Sequence, residues 1–161
     1  MSKIKYIEGD VVEAYSQGKG ILCHVVNNQN QMGSGVAKAI YERYPEVKRI
    51  YHQLAYAKSL KIGTNQWICI EDHMPIINMI AQVLGGSRPL YYNHLSSCLD
   101  DISNNINHTV DIIMPLIGAH RAGGEWNIIS SIIYDSLVRR GYNVSVYYMK
   151  DKLPPNFSFS H

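Results

Sequence analysis

Two stretches of this chain combine glycines with side chains that could meet an anion. The first runs Asn27-Asn28-Gln29-Asn30-Gln31-Met32-Gly33-Ser34-Gly35-Val36, and the second Pro115-Leu116-Ile117-Gly118-Ala119-His120-Arg121-Ala122-Gly123-Gly124. Each follows an apolar run with strand character and precedes residues with helical spacing. Glycine lets a backbone take positive φ and come close to a ligand. Successive N–H groups ahead of a helix make an anion site. One such loop alone reads as a tight turn. Two of them, both running from strand to helix, suit a ligand with several phosphate or hydroxyl oxygens. Neither is a P-loop, since no GxxxxGK[ST] is present, and Gly33-Ser34-Gly35 lacks the third glycine of the dinucleotide fingerprint.

Around these loops stand residues with two readings each. His24 lies inside the apolar run Ile21–Val26. An imidazole there could take and give protons near neutral pH, or be a neutral, hydrogen-bonded core residue. Asp10 follows Gly9, where it could cap a helix or accept from a ligand. Arg121 could clamp a phosphate through its guanidinium fork, or be a solvated loop charge. Cys23, Cys69 and Cys98 form no CxxC pair and no metal spacing, so no metal site is expected. They read as reduced thiols of a cytoplasmic protein, with Cys23 and Cys69 buried in strands. His52, His73, His94, His108 and His161 are scattered and read as surface residues. Asp100-Asp101 reads as a solvated helix face and Arg139-Arg140 as a helix-end pair.

The elements that must position these groups follow from hydrophobic periodicity. Strands are expected at Ile4–Ile7, Ile21–Val26, Gln66–Ile70, Ile76–Ala81, Asp111–Met114 and Val144–Met149. Ile21–Val26 is apolar at nearly every position, as in a strand buried on both faces. Helical spacing runs from Gly35 to Tyr44, from Glu46 to Ser59 beyond Pro45, from Tyr91 to Ile106 and from Trp126 to Arg139, with Gly141 as the stop. Alternation of strands and helices argues for an α/β sandwich. Ligands of such sheets bind outside the strand carboxyl ends, where both glycine loops fall.

Composition bounds the rest. The chain has 161 residues, 46% hydrophobic and 17% charged, with a formal charge of +2. That length fits one domain with its own core. The apolar share excludes disorder, and the small charge gives no argument for nucleic-acid steering. No apolar run is long enough for a membrane helix, and residues 1–5 carry no apolar signal core. The polar stretch 150–161, with Pro154-Pro155, reads as a tail or a lid.

Taken in order, Gly9-Asp10-Val11, Asn27, Met32-Gly33-Ser34-Gly35-Val36-Ala37 and Pro115-Leu116-Ile117-Gly118 through Gly123-Gly124-Glu125-Trp126 resemble the macrodomain family from first strand to last. The resemblance implies a three-layer α/β/α fold over residues 1–149, a central mixed, largely parallel sheet, a tail at 150–161, and a cleft for ADP-ribose. By position, Asp10 and the Val11 backbone would meet adenine. Gly118, Ala119, His120, Arg121, Ala122, Gly123 and Gly124 would wrap the pyrophosphate. Asn27 with Met32, Gly33, Ser34, Gly35 and Val36 would hold the distal ribose, and Tyr147 and Met149 match adenine-side positions.

The segments Ile21–Asn27, Met32–Ala37 and Arg43-Tyr44-Pro45 resemble the branch of phosphatases acting on ADP-ribose 1″-phosphate. There His24, with Asn27, is the candidate catalytic pair. Ala37, Gln82 and Ala122 stand where two ADP-ribosyl hydrolase branches place Asp, Lys and Asp. The resemblance therefore implies an ADP-ribose-binding protein acting as that phosphatase. Two alternatives stay open. One is a non-catalytic reader, or a protein sequestering ADP-ribose or an NAD-derived signalling nucleotide. The other is a hydrolase removing ADP-ribose from modified protein or nucleic acid. The implied partners are ADP-ribose or a derivative and ADP-ribosylated macromolecules, with no membrane and no cofactor.

Overall fold

The computed structural model describes residues 2–29, 35–83, 88–120 and 122–161. Its elements are β1 (Lys5–Glu8), α1 (Val11–Ser16), β2 (Ile21–Asn27), α2 (Gly35–Arg43), α3 (Pro45–Tyr56), β3 (Thr64–Ile68), β4 (Ile76–Gln82), α4 (Tyr92–Asn105), β5 (Ile112–Met114), α5 (Trp126–Ser136) and β6 (Val144–Tyr148). The six strands form one sheet in the order β1-β6-β5-β2-β4-β3. Every pairing is parallel except that of β3 with β4, so the sheet is mixed and mostly parallel, as expected.

The continuous apolar runs take the centre of the sheet because both of their faces can be buried. Leu22 and Val26 of β2, with Ile76 and Ile80 of β4, pack with Val12 and Tyr15 of α1, Ile40 of α2 and Tyr51 of α3. Cys23, Ile77, Met79 and Ala81 point the other way, onto Leu95 and Leu99 of α4 and Ile129 and Ile133 of α5. Strand periodicity of two thus separates two cores, one on each side of the sheet.

Local chemistry sets several element boundaries. Pro45 opens α3, where its fixed φ suits the first helical turn and its missing N–H is not needed. The last helix ends earlier than its periodicity suggests. It stops at Ser136, and Val138–Arg140 continue as one 3₁₀ turn closed by Gly141 at φ 96°. The six-residue α1 was not expected, being too short to show a period. Cys69 is a correction: β3 ends at Ile68, so this thiol is exposed beyond it, while Cys23 and Cys98 are buried. Among the expected surface histidines, His52 and His94 are half-buried.

Residues after β6 fold back on the body. Lys150–Lys152 form a 3₁₀ turn. Phe157 and Phe159 then meet the Tyr6 ring edge-on at 6.0 and 5.2 Å. Tyr6 Oη donates to Ser160 O and accepts from Trp126 Nε1 at 3.0 Å, and Ile4 N donates to His161 O at 2.7 Å. The C-terminal segment is therefore docked beside β1 and the start of α5.

Candidate functional site

A cleft of about 790 Å³ opens at the carboxyl ends of the parallel strands. Its walls come from Gly9–Val12 after β1, the end of β2, the start of α2, Gln82 of β4, the loop after β5, and the end of β6. Of the expected site residues, Asp10, Val11, His24, Asn27, Gly35, Val36, Gly118, His120, Ala122, Tyr147 and Met149 line it together. Ala119, Gly123 and Gly124 stand outside the lining, and Ala119 belongs to the core under α5. Met32, Gly33, Ser34 and Arg121 lie outside the described residues. Lys152 and Leu153 also line the cleft. Both belong to the polar stretch that the sequence offers as a tail or a lid, and no local pattern marks either as a site residue.

Asp10 serves the fold before it serves any ligand. Its Oδ1 accepts from Val12 N at 2.8 Å and Glu13 N at 3.4 Å, capping α1. This fixes the carboxylate at the cleft margin and directs Oδ1 to the helix. Among the described residues of the lining it is the one carboxylate.

His24 is 2% exposed and sits between Leu22 and Val26 on the face that packs against α1–α3. It is aligned with Asn78 of β4, which is aligned with Gln66 of β3. The three side chains form a hydrogen-bonded row. His24 Nε2 lies 2.5 Å from Asn78 Oδ1, Asn78 Nδ2 donates to Gln66 Oε1 at 3.0 Å, and Gln66 Nε2 donates to Ile50 O at 2.9 Å. A backbone carbonyl can only accept, so Ile50 fixes the orientation of Gln66. Gln66 then fixes Asn78, and Asn78 Oδ1 requires the ring proton on Nε2. Burial lowers the His24 pKa to about 4, against the opposing effect of the Asn78 bond. The ring is neutral at physiological pH.

Asn27 closes β2 at a register shift, where Val26 faces Ile80 but Asn27 faces Gln82. Its Oδ1 accepts from Gln29 N at 2.9 Å and lies 3.0 Å from the hydroxyl of the fully buried Tyr51, which also donates to Asn27 O at 2.7 Å. The bulge and Tyr51 together set where the first glycine loop leaves the sheet.

The second loop is braced from within. Gly124 N donates to Gly118 O at 2.8 Å, Gly123 N to His120 O at 3.1 Å, and Leu90 N to Ala122 O at 3.1 Å. Gly118 has φ +70°, and a Cβ there would come within 2.6 Å of Leu90. Partial burial, then the charge of Lys152, lowers the pKa of His120. Burial also raises that of Tyr147. Groups of His, Cys, Asp and Glu able to hold a metal are absent among the described residues, as are helices long and apolar enough to cross a membrane.

The mixed sheet that carries this strand-end cleft recurs in known proteins. A macrodomain protein from Streptomyces coelicolor superposes with a TM-score of 0.76 at 28% identity, over 90% of this chain and 98% of that one. The chain has the macrodomain fold. No protein-family model matches it. An uncharacterised 17.5 kDa protein of Enterobacteria phage T4, from the tk–vs intergenic region, is 30% identical over 139 residues, 81% of this macrodomain and 87% of the phage protein. The ADP-ribose glycohydrolase OARD1 of Bos taurus is 24% identical over 148 residues, covering 91% of each chain. The ADP-ribose 1″-phosphate phosphatase of Meyerozyma guilliermondii is 35% identical over 51 residues, which is 32% of this macrodomain and 29% of the yeast protein.

Proposed function

We propose that this macrodomain binds ADP-ribose in the cleft at its strand ends. One observation carries the reading: the end of β2, the start of α2 and the loop after β5 bound the same cavity, with Asp10 and the β6 residues Tyr147 and Tyr148 on its wall. Neutral amides and apolar walls can hold a diphosphate without many cations, since N–H groups donate directly to phosphate oxygens. Asp10 and Val11 would receive adenine. Asn27 with the Gly33–Val36 stretch would receive the distal ribose, and the loop 118–124 the diphosphate. Calorimetric titration with ADP-ribose tests this. Saturable heat and protection against unfolding are expected; neither appearing would overturn it.

A second reading, hydrolysis of ADP-ribose 1″-phosphate, is favoured by the short stretch shared with the yeast phosphatase. Water would attack phosphorus, the bond from phosphorus to the C1″ oxygen would break, and ADP-ribose and inorganic phosphate would leave. The state of His24 shapes this chemistry. A neutral imidazole with a pKa of about 4 is a weak base and lacks the second proton a general acid would give, and its one N–H is held by Asn78 Oδ1. Catalysis would rest on positioning and amide donors, which is much of what phosphoryl transfer requires. De-ADP-ribosylation has less support, because Ala37, Gln82 and Ala122 line the cleft where carboxylates and a lysine would be needed. Phosphate release from ADP-ribose 1″-phosphate is the test. No release above buffer, with ADP-ribose bound, would leave a binding module.

A further inference from the structure

Lys152 was invisible as a site residue in the sequence, yet it stands on the cleft wall between Met149 and Leu153 and shares that wall with His120. Among the described residues of the lining it is the one Lys or Arg. It makes no ion pair with any described residue. The one carboxylate of the lining, Asp10, turns Oδ1 to the start of α1. The segment bearing Lys152 is held in place at both ends. Lys152 N donates to Met149 O at 2.9 Å, Pro154 is buried, and Phe157 and Phe159 anchor the following residues on Tyr6.

We propose that Lys152 is a specificity-determining residue of the cleft, its ammonium supplying, beside His120, the charged contact that favours a ligand bearing a diphosphate. This rests on the ADP-ribose reading above. On that reading, backbone N–H groups of the loop after β5 other than those of Gly123 and Gly124, which already donate to His120 O and Gly118 O, meet phosphate oxygens whatever the net charge. A cation on the wall adds a dependence on that charge, and it repels a second positive charge in the empty cleft. His120 already shows this repulsion, since burial and then Lys152 hold its imidazole below the usual range. A diphosphate between them reverses the balance and draws a proton onto His120. ADP-ribose affinity is therefore expected to rise as pH falls from about 8 to about 6. Among the described residues, the other ionisable groups on the wall are Asp10 beside α1, His24 on β2, and Tyr147 and Tyr148 on β6. His24, with its pKa of about 4, stays neutral over that interval.

The experiment is calorimetry of ADP-ribose with the wild-type chain, Lys152→Gln and Lys152→Arg, each at two salt concentrations. Lys152→Gln is expected to bind roughly tenfold more weakly, as for loss of one solvent-facing charge-assisted bond. Its affinity should depend less steeply on salt, and Lys152→Arg should keep both affinity and salt dependence near wild type. Lys152→Gln with affinity and salt dependence within twofold of wild type would overturn the inference. So would an equal loss in Lys152→Arg, which would mark a packing role. Failure of the wild-type chain to bind ADP-ribose would instead overturn the functional reading itself.

Discussion

His24 shows how neighbouring residues settle the chemistry of a side chain. Its type and its place in an apolar strand left two roles open. The row through Asn78 and Gln66 to Ile50 O gives it a defined tautomer and a pKa of about 4. In the unfolded chain the ring titrates near its ordinary 6.5. The unfolded state therefore binds more protons between those values, and stability falls as pH drops through them. The stabilisation is fully present above about pH 6.5, and about 3 kcal/mol of it is lost by about pH 4. Urea midpoints measured across that interval check the slope, and His24→Gln should flatten it. Asn78→Leu tests the row directly. It leaves the buried His24 N–H and Gln66 Oε1 without partners, and should cost about 2–4 kcal/mol. Replacing both His24 and Asn78 by Leu should cost less than the sum of the two single changes. The partners of His24 lie 54 and 42 positions away along the chain, which is why no local pattern could decide between its two roles.

Among the elements, the central strands were the most legible, because burial on both faces leaves an unbroken apolar run in β2 and β4. Helices α3, α4 and α5 could be read from their periodic apolar faces. Three features escaped. Helix α1 is shorter than two turns and announces itself only through its cap, Asp10. The edge strand β3 begins at Thr64, before the apolar residues that suggested it, since an edge strand needs only one paired neighbour. Cys69 looked buried because it sits between Ile68 and Ile70, yet the strand has already ended. The second glycine loop was legible as a loop, and the packing explains which of its glycines matter. A Cβ on Gly124 would sit 2.7 Å from Gly118 O, a backbone atom that cannot swing aside. Gly124→Ala should therefore displace the loop after β5, destabilise the fold by about 1–3 kcal/mol, and weaken ADP-ribose binding. At Gly18, φ is +77° but nothing lies within 4 Å. Gly18→Ala should cost only about 1 kcal/mol in backbone strain and leave binding unchanged. Unfolding curves and ADP-ribose titrations of the two variants separate these outcomes.

At the scale of the whole molecule, the cleft wall and the C-terminal segment form one mechanical unit. Residues 154–161 contribute Phe157 and Phe159 to a cluster with Tyr6, Trp126 and Tyr148. They also place Ser158 and Ser160 hydroxyls 3.0 Å from Asn127 Oδ1 near the start of α5. These contacts join the last residues to the first strand, a closure that polar composition and two prolines concealed. Removing residues 154–161 would expose the Tyr6 and Trp126 rings and leave Tyr6 Oη without its carbonyl acceptor. Phe157 is half-buried and Phe159 is 59% exposed, so their burial stabilises by less than two full phenylalanine side chains. A loss of about 2–4 kcal/mol is expected, seen as a lower urea midpoint. Trp126 emission should shift to longer wavelength as water reaches the ring. The same truncation frees the turn bearing Lys152 and Leu153 and so loosens one wall of the cleft. ADP-ribose affinity should then fall together with stability. A shortened chain that unfolds earlier but binds ADP-ribose with unchanged affinity would show the segment to be a clasp for β1 alone, with no part in shaping the cleft.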